Sequence, residues 1–300
     1  MKKVFYCVLI MLIGLPVALS AAPRKAKHKV KHVVHRRNSH KSYAKRLAHL
    51  GAAYKVPANL ASKAIVKPAV KSEGIHYPYL TYVPDSYKAD KNKSLPLIIY
   101  LHGRSASGNN LSSVRRYGIP FYMDRGMQCE AVVVAPQCPW SCNWSSQNWF
   151  GPLIKEITQK YHIDTTRIYL TGMSMGGFGA WDLAIKHPDL FAAVLPLCGG
   201  GVPKQVGALK DMPVWAFHGD RDRAVPIKRT EEMVDALKAK GGKPKFTILH
   251  GAGHDIHRTF GDKRIYDWMF KHFKRKPSSL ANLETAETDT TDWNNFKTPY

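Results

Sequence analysis

No Asp or Glu precedes Glu73, although residues 1–72 carry 16 Lys and Arg. From 21 to about 72 the chain is Lys, His, Ala and Val with Pro57 and Pro68, and the stretch 24–41 shows no hydrophobic periodicity. Such a segment buries too little apolar surface to offset its ordering entropy, which excludes a packed domain there and predicts a disordered basic arm. The one long apolar run, at the very start, is short of the roughly 20 residues a spanning helix needs, and no second stretch is long and apolar enough to span a bilayer. Cysteine is scarce at five residues, and there is no CxxC pair with a matching second pair, which removes support for a structural zinc site. What the chain does have, 44% hydrophobic and 22% charged residues over 300 positions, excludes a wholly disordered or collagen-like protein.

The starting run reads Met1-Lys2-Lys3, then mostly apolar residues from Val4 to Leu19, then Ser20, Ala21 and Ala22. This order predicts a secretory signal peptide over 1–20, with an uncleaved anchor as the alternative, and a soluble product in the periplasm or the medium. Cleavage leaves Cys129, Cys138, Cys142 and Cys198, an even number open to disulfide pairing or to burial as free thiols. The net charge of +23 is mainly a property of the N-terminal segment. Arm 21–72 is a candidate binder of anionic surfaces or polymers, or a solvated spacer, with a short helix possible over 42–54. His28, His32, His35 and His40 are read as composition and not as metal ligands. The tail 277–300 is polar and mildly acidic.

Between these ends, short apolar runs alternate with helical stretches. Runs at 79–83, 95–101, 131–135, 167–171, 192–197, 214–218 and 246–250 predict strands, most of them apolar throughout, as suits a sheet covered on both faces. Helices are expected over 146–161, 175–186, 228–240 and 256–273. The alternation predicts one α/β domain over 73–276, a mostly parallel central sheet with helices on both faces.

The chemistry sits at strand ends. Gly172-Met173-Ser174-Met175-Gly176 follows one strand and opens a helix, the context of a nucleophile elbow, in which glycines flank a serine on a strained turn. A serine hydroxyl needs a base and an orienting acid, here expected in the order Ser, Asp, His. Asp222, after strand 214–218, and His254, after strand 246–250, are the candidates; Asp220 is the alternative acid, and His250 and His257 are the alternative bases. Two N–H donors would serve the oxyanion: that of Met175, and one from the loop Leu101-His102-Gly103-Arg104-Ser105, with Arg104 preferred over Ser105. The Arg104 side chain could meet an anionic substrate group or face solvent.

Taken together, these motifs over 73–276 resemble the α/β-hydrolase superfamily, in particular its secreted esterase and peptidase branch, related to phospholipase/carboxylesterases, feruloyl esterases and polyhydroxybutyrate depolymerases. The resemblance rests on "YVP" at 82–84, "APQCP" at 135–139, "RIYLTGMSMGGFGAWDLA" at 167–184, "HGDRDRAVP" at 218–226 and "GAGHD" at 251–255. It implies a Ser174, Asp222, His254 triad with Met175 and Arg104 as oxyanion hole, and it implies that Gln137 and Trp144 lie near the pocket; His102 and Gly103 belong with them as candidate substrate contacts. Arg104 and the stretch "WSCNWSS" at 140–146 depart from the group's pattern. The expectation is a secreted serine hydrolase that cleaves carboxylic esters, requires no cofactor or metal and binds no specific nucleic acid. The alternatives are a serine peptidase on the same apparatus, or a surface-binding protein acting through its basic arm. The predicted strands are separated by no insertion long enough for an interfacial lid.

Overall fold

The structure, a computed structural model, describes the backbone of residues 65–67 and all of residues 77–276. The signal segment, the region around 42–54, most of the basic arm and the tail lie outside the described residues. The strands are β1 (Ile65–Lys67), β2 (Tyr79–Tyr82), β3 (Leu95–Leu101), β4 (Val132–Pro136), β5 (Ile163–Met173), β6 (Ala193–Leu197), β7 (Trp215–Gly219) and β8 (Lys245–Leu249). The helices are α1 (Asp85–Ala89), α2 (Gly118–Met123), α3 (Phe150–Lys160), α4 (Met175–Lys186), α5 (Lys228–Ala239) and α6 (Lys263–Phe270).

The strands form one sheet in the order β1-β2-β4-β3-β5-β6-β7-β8. From β4 to β8 every pairing is parallel, while β1 and β2 are antiparallel additions at one edge. Alternate residues of β3 feed two separate cores. Leu97, Ile99 and Leu101 join α3, α4 and α5 on one face, and Ile98 and Tyr100 join α2 and α6 on the other. Burial of both faces explains why these strands read as unbroken apolar runs. The mostly parallel sheet sandwiched by helices is the architecture expected.

Several boundaries differ from the expectation, each for a local reason. Strand β1 falls inside the segment expected to lack structure: Ile65-Val66-Lys67 supplies two β-branched residues that extend the sheet past β2. Helix α3 starts at Phe150 and not at 146. The Asn143 side chain accepts the Ser145 N–H at 2.9 Å, and Gln147 has φ +66°, so the chain turns before it coils. The stretch expected as one helix over 256–273 divides at Asp262, whose side chain caps α6 by accepting the Arg264 N–H. Helices α1 and α2 were not expected, being too short to show a period.

Trp149 anchors the larger core. It is buried, donates its indole N–H to the Trp144 carbonyl at 3.0 Å and stacks on Tyr77 at 5.3 Å between ring centres. Trp149→Ala is expected to cost about 3–5 kcal/mol of stability, read from urea unfolding. A loss below about 1 kcal/mol would show that the ring is not a structural anchor.

Candidate active site

The site lies at the carboxyl ends of the parallel strands, and it begins with a turn that only glycine permits. Ser174 links β5 to α4 with φ +59° and ψ −122°, a conformation rare for a residue with a Cβ. A Cβ on Gly172 would stand 2.4 Å from the Gly176 carbonyl oxygen, and one on Gly176 would stand 2.0 Å from that of Leu101. Both are backbone atoms that cannot swing aside. The Ser174 N–H donates to the Leu197 carbonyl at 2.9 Å, and the Ser174 carbonyl accepts the Phe178 N–H at 3.0 Å, so strand and helix pin the strained residue from both sides.

The structure brings Ser174, His254 and Asp222 into one hydrogen-bonded line. Ser174 Oγ is 2.8 Å from His254 Nε2, and His254 Nδ1 is 2.7 Å from Asp222 Oδ2. The other carboxylate oxygen, Oδ1, accepts the backbone N–H groups of Ala224 and Val225 at 2.9 and 2.8 Å. The Asp222 side chain has no exposure to solvent. Burial alone would raise its pKa, but hydrogen bonds from His218, His254 and the Val225 N–H outweigh that effect and hold the carboxyl well below the usual range.

The alternatives named from the sequence lie elsewhere. Asp220 and His250 pair with each other at 2.9 Å, and Asp220 also accepts the Gly251 N–H at 2.7 Å. They clasp the loop after β7 to the loop after β8, and so set the spacing of Asp222 and His254. His257 bonds Asp255 at 2.5 Å and packs against Tyr117 and Phe121.

Loop 102–108, after β3, lies beside the serine. A Cβ on Gly103 would be 4.0 Å from Ser174 Oγ. Arg104 and Ser105 open a 3-10 helix whose first internal bond runs from the Ala106 N–H to the Gly103 carbonyl, so their own N–H groups precede its ladder. Met175 is likewise the first residue of α4. The Arg104 guanidinium donates to the carbonyls of Trp140 and Cys142 at 3.1 and 3.2 Å.

Of the expected substrate contacts, His102, Gln137 and Trp144 are at most 1% exposed and bind the protein's own backbone. His102 Nε2 accepts the Cys138 N–H, which leaves Nδ1 to donate to the Gly103 carbonyl. Burial pushes its pKa down to about 4, consistent with a neutral ring. Trp144 donates its indole N–H to the His102 carbonyl, and Gln137 donates to the carbonyls of Ala106 and Asn110. All three staple loop 102–110 against the sheet. Cys129, Cys138, Cys142 and Cys198 are buried free thiols.

Sequence reasoning passed over His218 and Thr230. His218, fully buried, is 3.2 Å from Asp222 Oδ2 and 2.7 Å from Thr230 Oγ1. The available signal was a lone histidine inside the buried strand Trp-Ala-Phe-His-Gly. Side-chain atoms of Cys198, His218 and Asp222 lie within 4.8 Å of one another, and the bonds of His218 and His254 to Asp222 already fill that space. A cation there would have to displace the bond from His254 or from His218 to Asp222. Among the described residues, no helix is long and apolar enough to cross a membrane.

Residues 150–268 match the dienelactone hydrolase family. A protein named "Probable feruloyl esterase C", from Aspergillus flavus, is 27% identical over 169 residues, which cover 55% of this chain and 62% of that protein. The chain thus spans about three fifths of the length of that curated relative. A thermostable esterase of known structure overlays with a TM-score of 0.61 at 28% identity, covering 72% of this chain and 64% of the other. A ferulic acid esterase structure, at 21% identity and a TM-score of 0.55, covers 70% of this chain and 97% of its own, and shares the fold.

A depressed carboxylate stabilises the fold above its unfolded pKa of about 4, and that contribution is lost as pH falls toward the folded value. Asp222→Asn is therefore expected to cost about 3 kcal/mol at neutral pH. The gap from wild type should narrow at about pH 3, measured by urea unfolding at both pH values. A gap independent of pH would mean that the charge of Asp222 contributes nothing to stability.

Proposed function

Because the chain has the α/β-hydrolase fold, we propose that it is a serine hydrolase that cleaves carboxylic esters through an acyl-enzyme. The observation that carries this reading is the unbroken line from Ser174 Oγ through His254 to the buried Asp222, set on a strained turn. His254 Nε2 takes the hydroxyl proton as Ser174 Oγ attacks the ester carbonyl carbon. The imidazolium then formed is stabilised by the ionised Asp222, which also keeps Nδ1 protonated and Nε2 aimed at the serine. The backbone N–H groups of Met175 and Arg104 receive the oxyanion. As the intermediate collapses, His254 returns the proton to the departing alcohol, and a water molecule activated by the same base releases the acid.

The names of the curated relatives make feruloyl esters the first natural substrates to try on this chain. Export is part of the reading, on the charged, apolar and small-residue order of positions 1–22. So is tethering of the domain to anionic polymers through the basic segment.

Nitrophenyl esters from acetate to decanoate test the chemistry. Ser174→Ala is expected to reduce turnover by roughly four orders of magnitude or more while unfolding at the same urea concentration as wild type. Equal turnover in that variant would remove Ser174 from the mechanism. Deletion of 21–60, which spares β1, is expected to abolish retention on heparin at low salt and leave ester turnover unchanged. Retention that survives the deletion would assign the binding to the domain.

A further inference from the structure

His218 and the Cys198 thiol are buried titratable side chains beside Asp222 that the mechanism above does not use, and the hydrogen bonds of His218 specify its protonation. Thr230 Oγ1 stands 2.5 Å from the Gly199 carbonyl oxygen. A carbonyl cannot donate, so the single hydroxyl proton of Thr230 must lie on that bond. Thr230 Oγ1 can then only accept from His218 Nδ1, 2.7 Å away, which makes Nδ1 a donor. On the other side of the ring, Nε2 faces the Val225 carbonyl at 2.9 Å and Asp222 Oδ2 at 3.2 Å. Both are acceptors, so Nε2 also carries a proton. Any neutral tautomer leaves two lone-pair atoms in contact without a hydrogen in a site closed to water, a costly arrangement.

We propose that His218 is a buried imidazolium and a positioning residue: it neutralises Asp222, holds that carboxylate ionised and turned toward His254, and thereby sets the basicity of His254. A cation without solvent is tolerable only beside a counter-charge, and Asp222, also without exposure, supplies it. The titratable groups around the ring are Asp222, from the loop after β7, His254, which shares Asp222 Oδ2 from the loop after β8, and the Cys198 thiol at the end of β6. Helix α5 contributes the uncharged Thr230. Burial, and then Asp222, push the Cys198 thiol far up, so it adds no negative charge. Asp222 is thus held between two imidazoles, one permanently charged and one that becomes charged only when it takes the serine proton. The permanent charge offsets part of the carboxylate's pull on His254.

The protonation state is tested without turnover. Ring-nitrogen correlation spectra of the full chain and of its Ser174→Ala variant, from about pH 6 to 9, are expected to show protons on both His218 nitrogens throughout. The signals are assigned by their loss in His218→Gln, or by their shift in Thr230→Val where the first variant does not fold. A single protonated nitrogen would overturn the proposal. The positioning role rests on the esterase reading and is tested by the pH profile of kcat/KM. His218→Gln keeps a donor near the position of Nε2 and removes the charge, so the acid limb is expected to move up by about one pH unit. Lower activity with an unmoved limb would make His218 merely structural and overturn that role. Absence of ester hydrolysis in the wild type would overturn the esterase reading alone, because the ring-nitrogen spectra decide the charge of His218 independently.

Discussion

A carboxylate shut away from water has to be bonded entirely by protein, and at Asp222 that requirement organises the whole carboxyl edge of the sheet. Its two oxygens accept from the backbone of 224 and 225, from His254 and from His218. Those donors come from the end of β7, the loop after it and the loop after β8, and Thr230 of α5 buttresses His218 from behind. The groups meet only because β7 and β8 are parallel neighbours with their ends level, Gly219 opposite Leu249. Gly219 permits the closest approach, since a Cβ there would stand 2.4 Å from the Gly253 carbonyl oxygen. The register of two strands is thus what makes a buried charge tolerable.

The serine end of the line depends on the same sheet in another way. Strain at Ser174 persists because its surroundings over-determine it. The Leu197 carbonyl of β6 takes its N–H, and the Leu101 carbonyl of β3 lies where a Cβ on Gly176 would be. The neighbouring loop 102–110 is held by His102, Gln137 and Trp144, buried polar side chains that bond main-chain groups. In the function proposed, rigid support of this kind would keep the N–H donors in place before charge develops, with no reorganisation at the moment of reaction.

Much of this was legible in the chain as written. Strands covered on both faces announce themselves as apolar runs, and β3 falls at 95–101 as expected. Helix α4 falls at 175–186 as expected, because a strand, a Gly-rich turn and an apolar helix are local signals. Short elements were not legible: α1 and α2 span five and six residues, too few for a period to show. The start of α3 depends on one Asn side chain and one positive φ, and no hydrophobic pattern encodes either.

Chain order and residue type by themselves determined the α/β class and pointed to Ser174, Asp222 and His254, which the structure brings into one hydrogen-bonded line, because each depends on position relative to a nearby strand end. The tertiary structure alone decided which polar side chains are consumed inside by the protein's own backbone. His102, Gln137 and Trp144, expected near the pocket, are buried and bond the backbone of the neighbouring loops, and His218 reads as strand core and touches the central carboxylate. The physical reason is that a hydrogen bond is satisfied by whatever lies opposite in space. Its partner stands 36 residues away for His102 and 42 for Trp144, a separation across which sequence carries no pattern.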